Sequence, residues 1–296
     1  MSIICIKNFT KDYGNDRGVF DISLEIEKGD VFGFLGSNGA GKTTTIRALM
    51  GFIKPNIGKC YINNLDCFDN ANIIQENVGY LSGEKTFMDD MTGKEFIDFI
   101  AKYKRIKDLT IAKKIIKEFE LDVDIKIKKM SKGMKQKVGI VVAFMGNPDI
   151  LILDEPTSGL DPLMQNKFVE LIREERKKGK TILMSSHIFE EIEKTCTKLA
   201  IIIEGRIVAI DDLETIEKSK SKKFVITFIN DIELQKFVKE KMNITEKINN
   251  QATIIAQNNI DGLIKILAKY KITDLKEEKQ NLEDIFIKFY GGADND

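Results

Sequence analysis

The order of apolar and polar positions sorts the chain into two unequal parts. Residues 3–6, an alternating stretch over 19–26 and an apolar run over 30–35 ending just before glycine predict three strands. A glycine-rich turn then opens a helix over 42–52, which stops before Pro55. From Thr92 to about Phe119, apolar residues such as Phe96, Ile97, Ile100, Ile111, Ile115 and Phe119 recur at helical spacing. A further helix over 132–145 breaks at Asn147-Pro148, and an apolar strand over 150–153 comes next. Beyond it lie a helix over 163–178 and two more apolar strands, 181–185 and 199–203. Short, wholly apolar strands alternating with helices belong to a mainly parallel sheet covered on both faces.

The pattern changes after Asp212. All 4 prolines precede that point, and the Lys/Ser stretch 218–223 reads as a solvated linker. The remainder of the chain reads as strand 224–228, helix 232–241, two strands within 245–255, helix 260–270, a strand near Ile272 and helix 282–290. That order suggests a small α+β unit of the split-βαβ type. The expected organisation is a larger α/β domain over 1–215 with a helical subdomain at about 88–147, a linker over 216–222 and a small domain over 223–296.

Composition narrows the partners. A chain of 296 residues suits one large domain plus a small one, and 43% hydrophobic with 31% charged residues is enough to bury a sizeable core. Lys plus Arg (46) balances Asp plus Glu (46), which removes the basic field of nonspecific nucleic-acid binders, so no nucleic-acid partner is expected. The longest apolar run, 138–146, is less than half the roughly 20 residues a bilayer needs. The start, Met1-Ser2-Ile3-Ile4-Cys5, lacks the pattern of a secretory signal, and a cytoplasmic chain is expected. Cys5, Cys60, Cys67 and Cys196 have no C-x-x-C spacing and read as reduced structural residues. The single histidine, His187, rules out a zinc site built on several histidines.

Chemistry concentrates in two places. Gly36-Ser37-Asn38-Gly39-Ala40-Gly41-Lys42-Thr43-Thr44 fits G-x-x-x-x-G-K-[ST] directly between a strand and a helix, the order a P-loop needs. Its glycines let successive N–H groups turn toward a triphosphate at a helix N-terminus. Lys42 is placed to reach the β and γ phosphates, and the Thr43 hydroxyl to ligate Mg²⁺. The strand over 150–153 ends in Asp154-Glu155, at the carboxyl end of a sheet beside that loop. Asp154 is positioned to hold Mg²⁺ through water, and Glu155 to act as general base on the attacking water.

With these motifs in place, the chain over about 3–212 resembles the ATP-binding-cassette (ABC) ATPases. Met130-Ser131-Lys132-Gly133-Met134-Lys135-Gln136 is similar to the family's signature segment, and Asp154-Glu155-Pro156-Thr157-Ser158-Gly159-Leu160-Asp161 to its acid pair and dimer-seam loop. Ser185-Ser186-His187 resembles the switch-histidine segment. The resemblance implies that Ser131 and Gly133 contact the γ-phosphate held by an opposite subunit, that His187 is catalytic beside Glu155 and Lys42, and that Tyr13 stacks on adenine. Ser131 also suits an ordinary helix N-cap, and Phe9 is an alternative stacking platform. Two departures stand out. Lys132 and Met134 replace the commoner glycine and glutamine, as in a subset of bacterial exporters. Val78-Gly79-Tyr80-Leu81-Ser82-Gly83-Glu84 lacks the usual Gln, leaving Gly83 or Glu84 in its place, with Glu84 taken as the candidate third metal ligand.

The resemblance thus implies the ATP-hydrolysing subunit of a transporter, using ATP and Mg²⁺, pairing with a second ATPase subunit and with separate transmembrane permease subunits at the cytoplasmic face of the membrane. Leu282-Glu283-Asp284-Ile285-Phe286 also looks like the exporter subset. The alternative is a cytosolic ABC ATPase acting on a macromolecular partner, although one cassette and the short span from Lys42 to Ser131 fit its ribosomal and DNA-directed types poorly.

Overall fold

The computed structural model describes residues 2–84, 87–213, 215, 222–240, 242–256 and 260–278. They fall into two compact units, 1–213 and 214–296.

In the first unit, β1 (Ser2–Asp12), β2 (Gly18–Glu27), β4 (Ile57–Ile62) and β5 (Leu65–Asp66) form an antiparallel sheet in the order β2-β1-β4-β5. A second sheet has the order β10-β9-β3-β8-β7-β6 and comprises β3 (Val31–Leu35), β6 (Val78–Leu81), β7 (Ile150–Asp154), β8 (Thr181–Ser186), β9 (Lys198–Ile203) and β10 (Arg206–Asp212). Its pairs are parallel except β9 with β10. Every residue of β3, β7 and β8 is buried, which is why these strands read as unbroken apolar runs rather than alternating ones. Between the sheets, Ile4, Ile6, Phe9 and Ile22 join Phe32, Phe34 and Ile46 in one core. This cluster holds β3 and α1 (Lys42–Leu49), the two arms of the glycine-rich loop, in place.

The helices differ from expectation at their ends. The helical stretch from Thr92 to Phe119 is two helices, α3 (Gly93–Tyr103) and α4 (Thr110–Glu118), preceded by α2 (Ala71–Asn77). Thr92 and Glu95 form a capping box that starts α3. It stops where Arg105 takes φ 55°, with the Ile106 N–H returning to the Ala101 carbonyl at 2.8 Å. Next come α5 (Lys132–Phe144), α6 (Pro162–Lys177), capped by Asp161 with Pro162 in its first turn, and α7 (Phe189–Thr195). Strands β4–β6 and β10 and helices α2 and α7 are additions to the elements expected from the apolar pattern.

The second unit contains β11 (Lys222–Phe228), α8 (Asp231–Phe237), β12 (Ile244–Ile248), β13 (Gln251–Ala256), α9 (Ile260–Leu267) and β14 (Ile272–Glu278). The sheet order is β12-β13-β11-β14 with antiparallel pairings throughout. Because β13 lies between β11 and β12, those two run parallel through α8, which is the split-βαβ arrangement. Phe224, Ile226, Phe228, Phe237 and Ile254 fill its core. The expected helix 282–290 and residues 216–221 of the expected linker 216–222 lie outside the described residues, whereas Lys222 and Lys223, read as linker from the Lys/Ser stretch, already pair within β11.

All four cysteines are free. Burial pushes the Cys60 and Cys196 thiols up to about 12, so they stay protonated and unreactive. Among the described residues, no helix is long and apolar enough to cross a membrane.

Candidate functional site

The site grows from the carboxyl ends of β3, β7 and β8. Leaving β3, the Gly36 N–H donates to the Ser186 carbonyl at 3.2 Å, and a Cβ on Gly36 would sit 2.5 Å from the Ile202 carbonyl oxygen. Only glycine fits there. Gly39 and Gly41 adopt φ of 86° and 111°, the left-handed region glycine enters without steric cost. The loop therefore curls tightly enough for Lys42, only 5% exposed, to fold back over it. Its Nζ donates to the Gly36 and Ser37 carbonyls at 2.7 and 3.1 Å and lies 3.1 Å from Glu155 Oε1.

The acid pair closes the other wall. Asp154 is fully buried and accepts from Thr43 Oγ1 at 2.8 Å and from Ser185 Oγ at 2.6 Å. Each carboxylate oxygen is thus fixed by one hydroxyl. Glu155 takes φ 48°, and its backbone is pinned in that turn from both sides: its N–H donates to Ser185 Oγ at 3.0 Å, and its carbonyl accepts from Gln136 Nε2 at 3.2 Å. Its other carboxylate oxygen, Oε2, is 2.7 Å from His187 Nδ1. Lys42, Thr43, Asp154, Glu155 and His187 are therefore one connected cluster.

An open cavity of about 900 Å³ runs from this cluster along the loop. It is lined by Tyr13, Asn38, Gly39, Gly41, Thr43, Thr44 and Glu155, and also by Arg17, Phe20, Glu204 and Arg206, which were not among the expected site residues. Arg206 stands 5.4 Å over the Phe20 ring. The turn carrying it is tied to the loop, with Gly205 N–H donating to the Ala40 carbonyl at 3.0 Å and Phe20 N–H to the Gly205 carbonyl at 2.7 Å. No motif marks these four residues; Phe20 sits in an alternating strand, and Arg206 reaches the cleft only through the β9–β10 turn. Tyr13 is 55% exposed at the cavity edge, whereas Phe9 is fully buried in the core and has no free face for stacking. The alternative platform is thereby corrected.

Other candidate residues lie apart. Ser131 caps α5, its Oγ accepting from Met134 N–H at 3.2 Å, and Gly133 packs so closely that a Cβ would fall 2.6 Å from the Gly159 carbonyl oxygen. Neither lines the cleft of its own chain. The Glu84 side chain is 81% exposed and paired with Arg47 at 2.6 Å. It is Gly83 that abuts the acid pair, where a Cβ would stand 2.8 Å from Asp154 Oδ2. The structure therefore sets Gly83, and not Glu84, against Asp154, because the backbone leaving β6 passes over the carboxylate one residue before Glu84 turns out to Arg47.

The chain is similar to known proteins over most of its length. Residues 19–158 match the family model described as ABC transporter. An uncharacterised ABC transporter ATP-binding protein of Methanocaldococcus jannaschii is 32% identical over 280 residues, covering 92% of this chain and 97% of that protein. The bacitracin transport ATP-binding protein BcrA of Bacillus licheniformis is 32% identical over 301 residues, covering 99% of this chain and 98% of its own. Among solved structures, an ATP-binding subunit of an ABC transporter superposes with a TM-score of 0.66 at 29% identity, over 73% of this chain and 92% of that one.

Proposed function

The chain belongs to the ABC transporter ATP-binding proteins, an ATPase family, and from that premise we propose that it drives substrate export through separate permease subunits. The observation that carries the catalytic part of this reading is the cluster in which Glu155 lies between Lys42 and His187. In it, Glu155 takes the proton of the attacking water, and His187 orients the carboxylate that does so. Lys42, now facing loop carbonyls and Glu155, turns its charge to the β and γ phosphates. Tyr13 offers the exposed ring for adenine.

The donor set suits magnesium: Thr43 hydroxyl and Asp154 carboxylate are hard oxygen donors already 2.8 Å apart. Bound there, Mg²⁺ would neutralise charge on the transferring phosphate. Glu84 is not carried forward as a ligand, since it points to Arg47.

Ser131 and Gly133 are available to a second subunit because they lie on the α5 N-terminus outside their own cleft. Two copies, or this chain and a similar one, would enclose ATP between the loop of one and the signature of the other. Export rather than uptake is favoured by the Lys132-Gly133-Met134 variant and by the full-length match to a protein named for bacitracin transport. The working location is then the cytoplasmic face of the membrane.

Glu155→Gln tests the chemistry. Nucleotide binding should persist while turnover falls by about 10²- to 10⁴-fold, because an amide holds the water without accepting its proton. ATP should trap a dimer visible by size-exclusion chromatography. Hydrolysis at the wild-type rate would remove Glu155 from the base role, and purification from membranes without a spanning partner would remove the transporter reading.

A further inference from the structure

We infer that Glu191 is a positioning residue for hydrolysis, a buried carboxylate that fixes His187 and the loop after the acid pair as one body. This inference rests on the reading of Glu155 and His187 as the proton-handling pair.

Glu191 lies in the first turn of α7 and is only 9% exposed. Its two carboxylate oxygens are used separately. Oε1 accepts from Thr157 Oγ1 at 2.5 Å, and Oε2 accepts from Ser186 Oγ at 2.6 Å. A carboxylate offers acceptors only, and the two hydroxyl donors give each of its oxygens one partner. The two donors come from the two segments that carry the chemistry. Thr157 is two residues past Glu155, in the loop that runs on to Gly159 beside Gly133. Ser186 immediately precedes His187. Ser186 is itself a junction: its carbonyl accepts the Gly36 N–H at 3.2 Å, and its hydroxyl oxygen accepts the Ile188 N–H at 2.9 Å.

His187 is thus flanked by a residue locked on one side to the phosphate loop and on the other to Glu191. Without Glu191, the Ser186 hydroxyl is left with the Ile188 carbonyl at 3.3 Å as its acceptor, and the Thr157 side chain loses its link to Ser186. Within this set of bonds, Glu191 is the side chain that links the residue before His187 to the loop after Glu155. Nucleotide is held by the phosphate loop and Tyr13, neither of which Glu191 touches. Its loss should therefore be felt in the chemical step, where a misplacement of about 1 Å costs on the order of 10²-fold, and little in binding.

The test is steady-state ATPase kinetics on the full chain. Glu191→Ala should lower kcat by about 10- to 100-fold with the ATP KM changed less than about threefold. Glu191→Gln keeps one acceptor oxygen and should fall between wild type and Ala. In a His187→Ala background, Glu191→Ala should cost less than about a further threefold, since it acts through that histidine. Should Glu191→Ala fail to fold, Glu191→Gln and Thr157→Val carry the same kcat and KM comparison. Wild-type kcat in these variants, a loss that multiplies in full with His187→Ala, or a KM rising in step with the fall in kcat would each overturn the inference. Failure of the underlying reading is distinguishable, because it would appear as unimpaired hydrolysis by Glu155→Gln.

Discussion

Gly83→Ala adds one methyl group where the structure has no room for it. The new carbon would stand 2.8 Å from Asp154 Oδ2 and 3.1 Å from its Cγ, whereas ordinary contact begins at 3.4 Å, so the carboxylate must retreat by some 0.6 Å. A free carboxylate would swing aside at little cost. This one is held at both oxygens, by Thr43 at 2.8 Å and Ser185 at 2.6 Å, in a fully buried position. Retreat therefore breaks one hydrogen bond to a charged group, worth about 1.5–3 kcal/mol. That corresponds to roughly 10- to 100-fold, and it falls on the residue proposed to hold the metal. The assay is ATPase rate against free Mg²⁺ concentration. Gly83→Ala should move the half-saturation point up by that factor while leaving the rate at saturating Mg²⁺ closer to normal. Glu84→Ala, which breaks only an exposed ion pair worth about 0–1 kcal/mol, should superimpose on wild type. If the Glu84→Ala curve moves and the Gly83→Ala curve does not, the reasoning is wrong and Glu84 is the metal neighbour.

Two other perturbations probe the same unit. Ser131→Arg should leave ATP binding to the monomer near normal but reduce dimer-dependent hydrolysis by about 100-fold or more, the scale of losing a transition-state contact; mixing it with Lys42→Ala should restore one composite site, and wild-type activity in either variant alone would refute a shared site. Glu175 is buried, which raises its pKa, but Lys178 and Lys180 outweigh that and leave it below the usual glutamate range. Its stabilisation is therefore present above its unfolded pKa of about 4.3 and is lost as pH falls through the lower folded value. Glu175→Ala should cost about 3–5 kcal/mol at neutral pH by leaving the buried Lys180 without its carboxylate, and should flatten the acid limb of Tm against pH. An unchanged acid limb would assign that pH dependence elsewhere.

The parts legible from sequence are those whose physics is local. The loop 36–44 needs its glycines and lysine at fixed spacing, and β3, β7 and β8 declare themselves because burial on both faces makes every position apolar. The less legible parts depend on distant partners. β4 pairs with β1 through a bulge and carries Gly58 at φ 77°, so its alternation is broken. The stop between α3 and α4 falls on Arg105 at φ 55°, with neither glycine nor proline to announce it. Gly83 and Glu84 are neighbours in sequence, and only the course of the backbone over Asp154 tells them apart. Glu191 is one of three glutamates in Phe189–Thr195; the helix pattern cannot tell which faces Ser186.

The strand order of the larger sheet bears on how the protein is made. The strand before the phosphate loop, β3, has β8 and β9 as its two neighbours, Val31 pairing with Ile182 and Phe32 with Lys198. Both arrive from the far end of the unit, so the ribosome must deliver most of that unit before β3 can be seated on either side. Until then an apolar five-residue strand and its loop wait unpaired, the condition under which parallel sheets fold slowly and invite aggregation. Nascent chains cut short before β9 should then be clients of chaperones rather than nucleotide binders, and competence to bind ATP becomes a signal that translation of the first unit is complete.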